Sequence, residues 1–302
     1  MKANLVTATD LLTQLETSAR SVIDGVGPST VSIGRSGRGS GVVIAQDRVL
    51  TNAHNLRDRT TQVTLADGTV VQGAVVGADA EADLVVLEAP TGDARPVEWA
   101  DAAAGSGSVV FAVARSSRGA RVTFGLVSGI DQVFRGPGGR RISQSLEHTA
   151  PMARGSSGGP LVDRDGRLVG VNTHRVGDGF YLAQSATADL RTRVDALASG
   201  RSPRVLRLGV AIAPAHVARK LRAAVGLAER EGLLIRGVEA DGPAATAGIA
   251  EGDLIVAAGG RAVTSPDDLF DALAGHDDTT ALSVDLVRGA DEVTVEVTFP
   301  AE

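Results

Sequence analysis

"MARGSSGGPLVDRDGRLVGVNT", residues 152–173, sets five small residues, Gly155 to Gly159, ahead of two short apolar runs. "DRDGR" between the runs is a hairpin signal, because Asp-Gly tolerates the positive φ of a tight turn. Two readings fit the small residues. One is a turn entering a strand. The other is a nucleophile, Ser157, held on a strained turn. A phosphate-cradling loop does not fit, since no GK[ST] follows and a strand stands where a helix should begin.

Outward from this hairpin the pattern stays β. "STVSIG", "GSGVVIA", "DRVLTNA", "TQVTLADG", "VVQGAVVGA", "DLVVLEA", "GSVVFAVA", "VTFGLVSGI" and "GFYLAQSA" are short apolar runs punctuated by Gly, Asp and Ser. Such spacing predicts a barrel or sandwich. Residues 10–24 read as an amphipathic helix with Leu11, Leu12, Leu15, Ala19, Val22 and Ile23 near one face. "ADLRTRVDALAS", residues 188–199, predicts a closing helix, and "GRSPR" a linker. Beyond it a smaller α+β domain is expected. Its "AHVARKLRAAVG" helix would bury Val217, Leu221 and Val225. In "SPDDLFDALAG", Ser265 and Asp268 have capping-box spacing. The expected divisions are an N-terminal helical segment at 1–28, a β domain at 29–200 and the α+β domain at 204–302.

The bulk properties exclude several classes. With 302 residues, 43% apolar, two domains with ample cores are expected. A formal charge of −6 and no evident basic patch argue against nucleic acid as a partner. There is no cysteine, so disulfides, thiolate metal sites and cysteine nucleophiles are out. Five histidines without HExxH give no support for a metal site. No apolar run approaches the ~20 residues that span a bilayer. The N-terminus lacks the apolar core of a signal peptide. These features predict a cytoplasmic chain, or a soluble cell-envelope domain if a leader or anchor has been removed.

A serine hydroxyl needs a neutral imidazole to take its proton and an acid to orient that imidazole. His54, in "VLTNAHN", directly follows a strand. His148 lies close to Ser157 in the chain, His174 follows "GVNT", and His216 and His276 belong to the second domain. Among the acids, Asp83 stands at the mouth of an apolar run in "EADLVVLEA". Buried there it needs a partner, whereas Asp79 and Glu81 read as more solvated. An oxyanion hole needs backbone N–H groups aimed at one point. Gly155 permits such a turn, and Gly158 and Gly159 a sharp, close-packed exit.

The chain order His54, Asp83, Ser157, in "TNAH", "ADLVVL" and "GSSGGP", resembles the chymotrypsin-like serine proteases, whose triad roles are borrowed here. "GSGVVIAQDRVLTNAH", "VVGADAEADLVVLE", "VTFGLVSGI" and "GPAATAGIAEGDLIVAAGGRAV" narrow the resemblance to HtrA/Deg proteases, over residues 29 to 300. That resemblance implies a mostly β protein, a chymotrypsin-like double β-barrel followed by a PDZ domain. It implies Ser157 as nucleophile, His54 as base, Asp83 as orienting acid, and the N–H groups of Gly155 and Ser157 as oxyanion hole. It implies no cofactor. In the PDZ domain, "RLGV" matches a carboxylate-binding loop, so Leu208, Gly209 and Val210 would take a peptide C-terminus and Leu269 and Leu273 line its pocket. The implied partners are unfolded or damaged proteins, peptide C-termini, and further copies as a homotrimer or higher oligomer. The family's N-terminal trimer aromatics are missing, since no Phe, Tyr or Trp precedes residue 40. Ser156 replaces the usual Asn before the nucleophile, and "FRGPGGRR" is a short, cationic activation loop. A silent PDZ scaffold or holdase chaperone is the competing function.

Overall fold

The computed structural model describes residues 8–35, 37–116, 118–135, 141–204, 206–274, 276–277 and 279–299. Most of "FRGPGGRR", and the two chain ends, lie outside the described residues. The chain divides into two compact units, Met1–Pro203 and Arg204–Glu302.

The first unit opens with helix α1 (Ala8–Val26). Strands β1 (Thr30–Ile33), β2 (Gly39–Ala45), β3 (Arg48–Asn52), β4 (Thr60–Thr64), β5 (Val70–Asp79) and β6 (Leu84–Glu88) follow. They close into a barrel in the order β1-β2-β3-β6-β5-β4. Strands β7 (Val109–Ser116), β8 (Gly119–Arg135), β9 (Arg141–His148), β10 (Pro160–Val162), β11 (Leu168–Gly177) and β12 (Phe180–Ser185) make a second barrel, ordered β10-β11-β12-β9-β8-β7. Helix α2 (Ala188–Ala198) ends the unit, with Thr187 Oγ1 accepting from the N–H of Leu190 as its N-cap.

The apolar runs are continuous because both faces of these strands are buried. Successive side chains alternate across a strand. Val43, Val49, Val85 and Leu87 fill the first barrel. Their neighbours Val42, Leu50, Leu84 and Val86 turn outward and meet Phe111, Val113, Val162, Leu168 and Val171 of the second barrel. The alternate residues Val110, Ala112, Leu161 and Val169 fill that second barrel. The seam is thus a third core, capped by Val22 and Val26 of α1 and by Leu190, Val194 and Leu197 of α2. The first turns of α1 do not share it. Leu11 and Leu12, expected on the buried face, are 62% and 67% exposed, because the helix meets the barrels only from Leu15 onward.

The second unit is a sheet ordered β13 (Val210–Ile212), β14 (Leu233–Val238), β15 (Leu254–Ala258), β17 (Leu282–Arg288), β18 (Asp291–Val297), with β16 (Arg261–Ala262) paired to β15. Helices α3 (Ala215–Ala224), α4 (Pro243–Thr246) and α5 (Pro266–Ala274) accompany it. The capping box of α5 forms: Asp268 N–H donates to Ser265 Oγ, and Ser265 N–H to Asp268 Oδ2. The expected face of α3 is corrected in part. Val217 packs partly buried against the core, but Ala218 and Arg222 are the buried residues beside it, while Leu221 and Val225 are exposed. Small Ala218 seats the helix closely, and the Arg222 guanidinium folds back to the carbonyl of Ala228.

Candidate active site

β3 pairs antiparallel with β6, Asn52 opposite Leu84. The residues just after β3 and just before β6 must therefore meet. A single 3-10 turn, Ala53–Asn55, carries His54 there. Asp83 precedes β6 and is fixed by its own carbonyl, which accepts from Asn52 Nδ2 at 3.0 Å and Ala53 N–H at 3.1 Å. Its φ is +54°, a left-handed conformation that Asp tolerates better than most L-residues. The carboxylate is buried. Oδ1 accepts the His54 N–H at 2.9 Å, and Oδ2 lies 2.6 Å from His54 Nδ1. This bidentate hold orients the ring with Nδ1 toward the acid.

Ser157 lies on the turn before β10. Pro160 pairs with Val171, and just beyond that pairing the Gly158 N–H donates to the Asn172 carbonyl, which leaves Ser157 beside Thr173. Ser157 Oγ donates to the Thr173 carbonyl at 2.8 Å. The Thr173 hydroxyl donates to Asp83 Oδ2 at 3.4 Å. One residue of β11 thus touches both the acid and the alcohol. Asn55, beside His54, donates from Nδ2 to the Ser157 carbonyl at 2.9 Å. His54, Asp83 and Ser157 are thereby brought to one locus on the seam. Among the described residues the Ser157 hydroxyl bonds Thr173 and not His54.

The glycines have a steric reason. A Cβ on Gly158, at φ +85°, would stand 2.2 Å from the Ser40 carbonyl oxygen and 2.3 Å from Thr51 Oγ1. A Cβ on Gly155, at φ +83°, would stand 2.5 Å from the Gly37 carbonyl oxygen. The turn is pressed against the first barrel and only glycine fits. Ser40 holds it further: its N–H donates to the Ser157 carbonyl and its Oγ to the Gly155 carbonyl, at 2.8 and 2.7 Å. Among the described residues nothing accepts from the N–H groups of Gly155 and Ser157. Arg115, a buried residue of β7, donates its N–H to Ser40 Oγ, and its guanidinium is satisfied by the carbonyls of Gly27 and Thr30. Ser40, Asn55, Arg115 and Thr173 carry no signal along the chain. Ser40 and Thr173 are small polar residues inside strands, and the partners of all four lie far off in sequence or appear only once the strands are paired.

The competitors resolve differently from each other. Asp79, expected to be solvated, is buried and pairs with Arg193 of α2, accepting also from Ala82 N–H. Its carboxylate fastens the helix to the first barrel. His174 stacks on Phe134, centroids 6.0 Å apart. His148 is fully buried against Tyr181, and its ring nitrogens make no hydrogen bond of good geometry among the described residues, the Asn172 side chain being the polar group that acts on them. Burial lowers its pKa to about 4. The unfolded chain binds this proton near pH 6.5, so stability is complete above that value and falls as pH drops toward 4. Urea unfolding at about pH 7 and about pH 4.5 is expected to show about 2–3 kcal/mol of this loss removed in His148→Leu.

A trypsin-like peptidase domain model matches residues 39–171, and a PDZ domain model matches 234–284. The serine endoprotease DegS of Escherichia coli is 30% identical over 273 residues, covering 86% of this chain and 76% of that protein. The chain belongs to the HtrA/Deg family. The Brucella suis protein named "Probable periplasmic serine endoprotease DegP-like" is 34% identical over 276 residues, and this HtrA/Deg chain spans 52% of its length. Among solved structures, a serine endoprotease from Yersinia pestis aligns over 93% of the chain and 96% of its own, with TM-score 0.65 and 26% identity. The HtrA-type protease AlgW with a decapeptide aligns over 94% and 99%, with TM-score 0.69, and at 22% identity it shows the shared fold alone.

In the PDZ unit of this HtrA/Deg chain, β13 lies at the sheet edge, bonded to β14 on one side. Gly209, at φ +74°, precedes it, and its carbonyl accepts the Glu239 N–H. Leu208, Leu269 and Leu273 are buried in one apolar cluster, with Val210 partly buried against it.

Proposed function

We propose that the chain is a serine endopeptidase acting through Ser157, His54 and Asp83. The observation that carries this is the convergence just described: an imidazole held by a buried carboxylate, with the serine of a glycine turn joined to that carboxylate through Thr173. The Ser157 hydroxyl leaves the Thr173 carbonyl by rotation about χ1 and passes its proton to His54 Nε2 as Oγ attacks the scissile carbonyl carbon. The carbonyl oxygen gathers negative charge, which the N–H groups of Gly155 and Ser157 are free to receive. The C–N bond then breaks, His54 returns the proton to the leaving amine, and water attacks the acyl-enzyme with His54 as base.

The substrates proposed are unfolded or damaged protein chains. A peptide C-terminus would add as a strand along the open edge of β13, its carboxylate at Leu208–Val210. Assembly into a homotrimer or higher oligomer is proposed on family resemblance alone. Among the described residues no helix is long and apolar enough to cross a membrane. The DegP-like relatives are named as periplasmic, which favours the cell envelope over the cytoplasm.

A serine-reactive phosphonate tests the proposal. It is expected to label the parent chain and not Ser157→Ala. No labelling of the parent, with or without an added C-terminal peptide, would favour a silent peptide-binding scaffold.

A further inference from the structure

Two open pockets flank the segment that leads into β2. One, about 360 Å³, is bordered by Gly37 and by the turn residues Gly155 and Ser156, and carries Arg118, Arg121 and Arg154. The other, about 610 Å³, is bordered by Asn55 and carries Arg35, Arg38 and Arg57. Gly37 and Arg38 are consecutive, so the two pockets share a wall. All six arginines are exposed. None forms an ion pair among the described residues, although Asp58 also lines the larger pocket. Elsewhere Arg48, Arg167, Arg193, Arg230 and Arg288 each meet a carboxylate. The six guanidiniums sit together on a chain whose formal charge is −6. Gathering like charges costs repulsion that an anionic ligand relieves.

The chemistry orients this strip. On the proposed mechanism the scissile carbonyl oxygen lies at Gly155, and the leaving amine takes its proton from His54. The substrate therefore continues past its scissile bond on the His54 side, where Asn55 and Arg57 line the larger pocket, with the Gly155 pocket beside it. We propose that Arg38, Arg57 and Arg154, with Arg118 and Arg121 in the pocket that Arg154 lines, select substrates bearing Asp or Glu in the first few positions after the cleaved bond. Guanidinium pairs carboxylate through two parallel hydrogen bonds, so acidic side chains fit better than neutral amides of the same shape. This inference rests on the protease reading and deepens it by naming a substrate class.

The test uses internally quenched, C-terminally amidated peptides that differ only at the second and third positions after the cleavage site: Asp-Glu, Asn-Gln or Lys-Lys. The parent chain is expected to give a kcat/KM about tenfold higher for Asp-Glu than for Asn-Gln, and higher again than for Lys-Lys. The advantage should shrink as salt rises from about 0.05 to about 0.5 M. In Arg38→Gln/Arg154→Gln the Asp-Glu to Asn-Gln ratio should fall toward unity, and in Arg38→Lys/Arg154→Lys it should be retained in part. Equal kcat/KM for the three peptides, with phosphonate labelling intact, would overturn the inference and leave the protease reading standing. Absence of both cleavage and labelling would overturn both.

Discussion

Ser157→Ala is expected to lower kcat/KM for casein by roughly 10⁶-fold, and His54→Ala by a similar factor. The two losses should not multiply. Oγ without a base and a base without Oγ are equally unproductive, so Ser157→Ala/His54→Ala should match either single variant. Folding does not explain the loss. Ser157→Ala removes one hydrogen bond, to the Thr173 carbonyl, at a site only partly buried. That bond contributes about 1 kcal/mol. Paired measurements of casein hydrolysis and urea midpoint separate the effects. Multiplying losses, or retained hydrolysis in Ser157→Ala, would show that these two side chains do not act as a unit.

Asp83→Asn is expected to cost about 10⁴-fold in kcat with little change in stability, the size such a change reaches in this type of triad. The backbone at residue 83 has φ +54°, which Asn adopts as readily as Asp. The carbonyl that accepts from Asn52 and Ala53 is unaltered. The change is therefore confined to the side chain. Asn presents one oxygen and one NH₂ where Asp83 presents two acceptors to His54, at N–H and at Nδ1. If the oxygen takes the His54 N–H, the NH₂ faces Nδ1 and forces the proton onto Nε2. The ring then points a donor at the serine and accepts nothing from it. If the amide flips, its oxygen faces Nδ1 but the NH₂ meets the His54 backbone N–H donor to donor, a clash that disfavours this orientation. Asp83→Ala would add backbone strain at a positive φ, so it should lose stability as well as rate. Rates with an activated ester, together with thermal midpoints for both variants, check this.

How much of the site is legible along the chain follows from where each residue's information lies. His54 and Asp83 each stand at the end of an apolar run, and the glycines around Ser157 announce a turn, so a linear reading finds them. Ser40 and Thr173 do not stand out. Each is a small polar residue in a strand, and its role appears only when Ser40 meets Gly155, 115 positions away, or Thr173 reaches Asp83, 90 positions away. Asp79 reads as solvated because its partner, Arg193, lies on a helix 114 positions later. In α3 the apolar spacing marks a helix, but the helix is too short and too near the surface for spacing to choose the buried face. The six arginines come from four separate segments, so no run of basic residues betrays their meeting.

The outward-turned row Val42, Leu50, Leu84 and Val86, packed on Phe111, Val113, Val162, Leu168 and Val171, has a consequence for dissection of the gene. A cut between Glu88 and Val109 would release two closed barrels, each with a greasy outer flank and an incomplete set of reacting groups. His54 and Asp83 would leave with one half and Ser157 with the other. On the proposed assignment of Ser157, His54 and Asp83, turnover is therefore a readout of barrel docking, and a lesion that loosens the joint is expected to lower activity along with it.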